Sequence, residues 1–193
     1  MTQNKFQVKL QFTNDEAKAI YNNEAPQYET AGAVGIDLRA VDVDLSPENY
    51  LPNCLLEGNS FILPAGKRVL VKTGIKFEMP KSIKQNIISN DTLYTTDFRI
   101  EIQIRPRSGL ALKKGITILN SPGTIDADYT KEIGAIIINH SNIDFKFAKG
   151  DRICQAVFNL VPIPSIVIDK VEENDRGGFG STGINESETI CKQ

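Results

Sequence analysis

The chain has 193 residues, and its 22 lysines and arginines against 24 aspartates and glutamates give a formal net charge of −2. One domain of ordinary size with a substantial core is expected at this length. The near-neutral charge excludes the broad basic surface that wraps nucleic acid, so no nucleic-acid partner is expected. A site for a single nucleotide remains compatible, because it needs only a local group of cations.

The N-terminal sequence MTQNKFQVKLQF lacks the charged start and long apolar run of a secretory signal. No segment is apolar for the length of a membrane span, so no membrane partner is expected. Cys54, Cys154 and Cys191 are far apart and form no CxxC pair, which argues against a thiolate zinc site and favours a reducing compartment. We therefore expect a soluble protein of the cytoplasm.

The predicted elements are mostly strands, because polar and apolar residues alternate or β-branched residues run together for six to twelve positions. Two short segments have a helical pattern instead. In chain order the segments are a strand KFQVKLQF (5–12), a helix NDEAKAIYNN (14–23), strands RVLVKTGIKFEM (68–79) and FRIEIQIRP (98–106), a helix SGLALKKG (108–115), and strands GAIIIN (134–139), ICQAVFNLVPI (153–163) and SIVIDKV (165–171).

Many short strands with turns between them predict an all-β domain, a β-barrel or jelly roll, over residues 1–171. Two segments are predicted as long loops or hairpin extensions, near residues 46–60 and 81–98. The polar, glycine-rich tail, residues 172–193, cannot bury enough surface to fold alone and is predicted to be flexible. Within it RGGFGSTG (176–183) either frays or closes over a ligand.

Three motifs offer groups suited to phosphate or metal. RPRSGLA (105–111) places a guanidinium, a hydroxyl and free backbone amides at a helix start, which suits phosphate but also occurs in an ordinary turn. GDRICQAV (150–157) carries Gln155, which could reach a phosphate or simply belong to a strand start whose charges face water. In AGAVGIDLRA (31–40), Asp37 and Arg39 share one strand face and could pair with each other, or Asp37 could hold water ligands of Mg²⁺.

The stretch GTIDADY (123–129) is predicted to form a hairpin with EIGAIIIN (132–139). The backbone in the mouth of such a hairpin could read the edge of a planar base. Asp126 could hold a water as a general base, and Tyr129 could pack on a sugar. The alternative is a hairpin with acidic, solvated corners.

Together and in this order, the motifs resemble those of the homotrimeric dUTP pyrophosphatases (dUTPases), over about Pro26 to Gly183. The matching stretches are GIDLRA (35–40), RPRSGLA (105–111), GTIDADY with IGAIIIN (123–139), GDRICQAVF (150–158) and RGGFGSTG (176–183). The resemblance implies a jelly-roll-like distorted β-barrel with one short helix, assembled as a homotrimer. It also implies three active sites at subunit interfaces, each built from three chains.

The implied reaction is Mg²⁺-dependent hydrolysis of dUTP to dUMP and pyrophosphate by water attack on the α-phosphate. Such a reaction keeps uracil out of DNA and supplies dUMP for dTMP synthesis. The resemblance gives each matched residue a role. Asp126 activates the water; Asp37 anchors metal-bound waters; Arg107, Ser108, Gly109 and Gln155 bind phosphate; Asn120, Thr124, Ile125, Asp126 and Gly134 read uracil; Tyr129 packs on the deoxyribose; Arg176 reaches the γ-phosphate, Phe179 covers uracil, and Gly180, Ser181 and Thr182 complete the tail's contacts.

Two alternatives stay open at this point. A dCTP deaminase shares the fold, but its proton-shuttling glutamate corresponds to Ile136, which cannot carry a proton. A regulatory protein that binds dUTP and signals through the inserted loops is the other alternative.

Overall fold

The computed structural model describes residues 7–45 and 54–172, and within these ranges the chain forms fourteen strands and two short helices. The helices are α1 (Asp15–Ile20) and α2 (Ser108–Lys114). The strands are β1 (Lys9–Phe12), β2 (Gly35–Arg39), β3 (Asp42–Asp44), β4 (Leu55–Glu57), β5 (Ser60–Leu63), β6 (Arg68–Lys72), β7 (Ile75–Glu78), β8 (Ile83–Ser89), β9 (Thr92–Pro106), β10 (Ile116–Ile118), β11 (Gly123–Ile125), β12 (Gly134–Asn139), β13 (Phe145–Ala148) and β14 (Arg152–Ile163).

The strands form four sheets, and every strand pair within them is antiparallel. The five-stranded sheet has the order β11-β9-β14-β2, with β8 also paired to β9. A four-stranded sheet has the order β10-β12-β6-β3, and smaller sheets join β13-β5-β4 and β1-β7. Antiparallel strands need no crossover helices, which is why the described chain contains so little helix.

The sequence periodicity explains how these sheets bury one face. Along β6 and β12, buried residues alternate with half-buried or exposed ones. Val69 lies opposite Ile137 and Val71 opposite Ala135, so the inward faces of the two strands coincide. Full burial of an aliphatic side chain contributes about 1.5–3 kcal/mol, and a one-residue slip would turn both inward faces to solvent.

Helix α1 ties the five-stranded sheet to the rest of the domain. Asn14 caps the helix by accepting a hydrogen bond from the Ala17 amide at 2.8 Å. The next residue after the helix, Tyr21, is buried, and its hydroxyl accepts from the Arg39 amide at 2.8 Å and donates to the Thr73 carbonyl at 3.1 Å. This burial raises the pKa of Tyr21 above its ordinary value, so the hydroxyl stays a donor that links β2 to the turn between β6 and β7.

The all-β prediction is confirmed, but three predictions about individual elements are wrong. Both helical segments form helices, so the described chain has two short helices and not one. The stretch TIDADY does not form a hairpin with β12: β11 pairs with β9, while β12 pairs with β10 and β6. The reason is that β10 and β6 occupy the two edges of β12, so β11 has no free edge there to pair with.

The predicted strand SIVIDKV is also wrong, because residues 165–171 form no strand. Strand propensity cannot act without a partner to accept its backbone hydrogen bonds, and no described strand lies beside this run. Its aliphatic side chains are exposed as a result: Ile166, Val167, Ile168 and Val171.

Both inserted segments are at least partly hairpins. The segment near 81–98 extends the five-stranded sheet as β8 and the start of β9, with Ile87 opposite Tyr94. Of the segment near 46–60, residues 46–53 lie outside the described residues, and the remainder pairs β4 with β5.

Candidate active site

Asp37 sits on β2 directly opposite Gln155 on β14, so the two side chains emerge side by side from one face of the sheet. Gln155 Nε2 donates to Asp37 Oδ1 at 3.2 Å. The Asp37 side chain is only 8% exposed. A carboxylate at that depth needs charged partners, because burial without them is costly.

Two arginines supply those partners. Arg107 Nε donates to Asp37 Oδ1 at 3.1 Å and Nη2 to Oδ2 at 3.4 Å, a two-pronged contact. Arg152 Nη1 lies 3.3 Å from Asp37 Oδ2 and also donates to Glu29 Oε1 at 3.0 Å. We call Asp37, Arg107, Arg152 and Gln155 the Asp37 cluster.

The cluster answers two of the questions left by the sequence. Asp37 does not pair with Arg39, whose guanidinium donates to the Gly150 carbonyl at 2.7 Å instead. Arg152 does not merely face water, because it joins Asp37 to Glu29. Arg152 and Glu29 were not predicted to belong to the site, because residues separated by 123 positions give no local signal of their contact.

Arg107 also borders a cleft of about 280 Å³ at the start of α2, the Arg107 cleft. The first amides of any helix lack intrahelical acceptors, so those of Ser108 and Gly109 can serve a ligand. The remaining lining residues are Gln155, Leu110 and two lysines, Lys113 and Lys114. The cleft therefore carries three cationic side chains, the groups that bind phosphate. The lysines were missed from the sequence because a lysine pair near a helix end usually only complements the helix dipole.

Asp126 lies immediately after β11, where the pairing with β9 ends. It opens a tight turn, since the Tyr129 amide donates to the Asp126 carbonyl at 3.0 Å. Asp126 is exposed and borders a second cleft of about 580 Å³, the Asp126 cleft. Lys81, Arg99 and Glu101 line the same cleft, so charges of both signs surround the carboxylate.

The residues expected to read a base lie around the same loop. Asn120 packs its amide across Gly123, where an added Cβ would sit 3.2 Å from Asn120 Nδ2. Gly134 begins β12, and a Cβ there would come within 2.6 Å of Leu70 Cδ1, so only glycine fits without movement of that leucine. Thr124 is exposed and Ile125 half-buried on the short strand β11. Tyr129 is 38% exposed, and its hydroxyl donates to the Glu132 carbonyl at 3.0 Å.

Within the described residues, the structure brings the Asp37 cluster together but not Asp126 with it. The Asp126 cleft and the Arg107 cleft share no lining residue. The expected tail contacts, Arg176, Phe179, Gly180, Ser181 and Thr182, lie outside the described residues.

Cys154 lies beside the cluster on β14 but offers no thiolate. Burial first, and the negative charge of Asp37 second, raise the pKa of this thiol to about 12. A nucleophilic cysteine needs a lowered pKa, so a thiolate mechanism is excluded for Cys154 at neutral pH. The described residues contain no group of three His, Cys, Asp or Glu side chains able to hold a metal ion. None of the described helices is long and apolar enough to cross a membrane.

Comparison with known proteins identifies the family of the chain. The dUTPase family model matches residues 84–187, more than half of the chain. The chain belongs to the dUTPase family. The deoxyuridine 5'-triphosphate nucleotidohydrolase of Rhizobium rhizogenes (strain K84) is 39% identical over 166 residues, covering 83% of this chain and 86% of the relative. The enzyme of that name from Brucella melitensis biotype 2 is 42% identical over 163 residues, covering 83% and 85%.

A solved structure gives the fold. A mutant dUTPase of Staphylococcus bacteriophage 80alpha with dUpNHpp superimposes with a TM-score of 0.60 at 18% identity, covering 92% of this chain and 99% of that one. This likeness confirms the jelly-roll-like fold expected of a dUTPase. Family membership also sets aside the deaminase alternative, in agreement with the apolar Ile136 on β12.

Proposed function

We propose that this protein is a dUTP diphosphatase, which hydrolyses dUTP to dUMP and pyrophosphate. The observation that carries the proposal is the Asp37 cluster beside a cationic cleft in a chain of the dUTPase family. Arg107 has five N–H donors, and Asp37 and the Arg152 carbonyl take three of them. The guanidinium is thus held in one orientation before a triphosphate arrives, and this preorganisation favours binding.

Asp126 is the proposed general base. In the reaction, the oxygen of a water bonds to the α-phosphorus, the bond from that phosphorus to the β-phosphate bridging oxygen breaks, and Asp126 takes the water's proton. A carboxylate is a weak base, so the developing negative charge must be neutralised by cations. Arg107 and the lysines of the Arg107 cleft are the proposed source within the protein.

Mg²⁺ is proposed to arrive with the triphosphate. The described residues fit this mode and not a resident metal, since they hold no cluster of three ligands and Asp37 already serves two guanidinium groups. Asp37 would accept hydrogen bonds from waters that the ion retains. When bound, the ion supplies charge neutralisation on the phosphate oxygens.

The separation of the two clefts supports a shared site in a homotrimer. In the proposed assembly one chain contributes the Asp37 cluster with Ser108 and Gly109, and a second contributes the loop that carries Asp126. That loop would read uracil through Asn120, Gly134 and the backbone of residues 124–126. The tail residues Arg176, Phe179, Gly180, Ser181 and Thr182 of a third chain are proposed to contact the γ-phosphate and cover the base.

The first test is pyrophosphate release from dUTP, UTP, dTTP and dCTP at equal concentration, with Mg²⁺ and with EDTA. We expect strong selectivity for dUTP and loss of turnover with EDTA. Equal turnover of all four nucleotides, or none, would refute the proposed function.

A mixing experiment tests the shared site separately. Asp37→Asn and Asp126→Asn chains, each nearly inactive, are unfolded together and refolded. If each site draws Asp37 and Asp126 from different chains, some sites in the mixed trimers carry both native residues, so activity returns. If both residues act within one chain, the mixture stays as inactive as its parents.

A further inference from the structure

Glu132 links the loop that carries Tyr129 to the interior of the domain. Its carboxylate Oε1 accepts a hydrogen bond from the Gly74 amide at 2.7 Å. Its backbone carbonyl accepts the hydrogen bond from the Tyr129 hydroxyl at 3.0 Å. One residue therefore holds the aromatic ring at one end and the β6–β7 turn at the other.

Gly74, whose amide binds the Glu132 carboxylate, lies in a tightly packed turn. Gly74 has φ of +72°, and a Cβ there would lie 2.5 Å from the Cβ of Ala17 on α1. Ile133, which follows Glu132 in the chain, is 1% exposed. Its amide donates to the Ile75 carbonyl at 2.9 Å, and its carbonyl accepts from the Thr73 hydroxyl at 2.6 Å. Glu132 is thus fixed to a tightly packed turn from two directions.

Tyr129, at the other end of this link, is the side chain that must be held in a fixed position. Tyr129 is 38% exposed and lies just after the turn opened by Asp126. Packing covers the rest of the residue, and among the described residues the hydroxyl bond to the Glu132 carbonyl is the hydrogen bond that fixes the ring itself. A ring that rejects a single extra hydroxyl on a sugar must be held to within a fraction of an ångström.

We propose that Glu132 is a positioning residue for sugar discrimination: through its bond to the Gly74 amide it holds Tyr129 where a ribose 2′-hydroxyl would collide. This inference rests on the proposed function, in which Tyr129 packs on the deoxyribose. The carboxylate acts as a hydrogen-bond acceptor and not through its charge, because the group that it binds is a neutral amide.

The test compares kcat/KM for dUTP and UTP in Glu132→Ala, Glu132→Gln and Lys131→Ala. Glu132→Ala removes the side-chain bond to Gly74 and leaves the loop held only by the Ile133 backbone. Tyr129 is then less restricted, and we expect the ratio of kcat/KM for UTP to that for dUTP to rise about tenfold. Glu132→Gln retains an acceptor oxygen and should keep the native ratio. Lys131 is exposed in the same loop and makes no hydrogen bond or ion pair to the described residues, so Lys131→Ala is the matched control.

The outcomes separate the possibilities. A native ratio in Glu132→Ala overturns the proposal, even if its melting temperature falls, because a merely structural role would lower stability without changing selectivity. A raised ratio in Glu132→Gln overturns the hydrogen-bond mechanism in favour of charge. If Glu132→Ala does not fold, Tyr129→Phe removes the other bond of the link and should also raise the ratio; an unchanged ratio there overturns the proposal. Failure of the wild-type protein to prefer dUTP would instead refute the proposed function.

Discussion

Replacing Asp37 by asparagine tests how much of the site depends on one carboxylate. The side chain is 8% exposed, against 27% for Arg107 and 41% for Arg152. Asparagine keeps one acceptor oxygen but turns an NH₂ group towards a guanidinium. The substitution therefore removes a charge that two cations share, and leaves both of them in place.

The magnitude follows from the exposure of the partners. Removing one partner of a fully buried ion pair costs about 3–5 kcal/mol, because the other charge stays buried. Here both arginines reach solvent, and Arg152 keeps Glu29 as a partner. We therefore expect a loss of about 1–2 kcal/mol, between the buried and exposed limits. For a chain of this size that corresponds to a fall in Tm of about 2–8 °C.

The assay is thermal unfolding followed by circular dichroism, at low and at high salt, together with kcat and KM for dUTP. The Tm difference should persist in high salt, because a pair this deep is poorly screened. Glu57→Gln is the control, since it breaks an ion pair with Lys146 whose two side chains are 62% and 59% exposed, and it should leave Tm nearly unchanged. An unchanged Tm and unchanged kinetics in Asp37→Asn would refute the assigned role.

Three further predictions use separate observations. Asp126→Asn should lower kcat by about 10²–10⁴-fold while the affinity for a non-hydrolysable dUTP analogue, measured by calorimetry, stays the same; a small kcat loss would contradict its role as base. Gly74→Ala should cost about 2–4 kcal/mol in urea unfolding, because φ is +72° and the new Cβ would meet Ala17, whereas a neutral result would mean that α1 shifts freely. Burial raises the pKa of Cys54 to about 11 and of Cys154 to about 12, from an ordinary 9.0; because the unfolded chain loses these protons first, the contribution of the two thiols to stability should be constant well below pH 9 and fall as the pH rises from 9 towards 11. Replacing both cysteines by alanine should reduce the fall between pH 9 and 10, while the loss due to the buried Tyr21 remains above pH 10.

The sequence predicted the fold class because its signal is local. Alternation along β6 and β12 shows in the residues themselves, and the register in which Val71 faces Ala135 follows from the same alternation. The prediction of the partner of β11 was wrong, because strand pairing depends on residues that lie far apart in the sequence. The three residues of β11 carry no mark of their partner, so the sequence did not predict that β11 would pair with β9.

The candidate site likewise contains residues that motifs predict and residues that only the fold brings together. Asp37, Arg107 and Gln155 lie in motifs that the sequence shows, and the structure adds that Arg107 and Gln155 each donate a hydrogen bond to Asp37. Arg152 and Glu29 join the site only because two distant segments meet, and neither lies in a pattern that predicts the contact. The role of Glu132 likewise depends on Gly74, 58 residues away.

Each half of the proposed site, the Asp37 cluster and the Asp126 loop, is held in place by contacts within one chain. The Asp37 cluster is fixed by the register of β2 against β14, and the Asp126 loop by β11 and by the link from Glu132 to Gly74. These two parts then need little further ordering when chains associate, which removes one cost of binding. Under the proposed trimer, a folded but dissociated chain would hold every catalytic group and still lack a complete site. Specific activity should therefore fall on dilution while the circular dichroism spectrum stays unchanged.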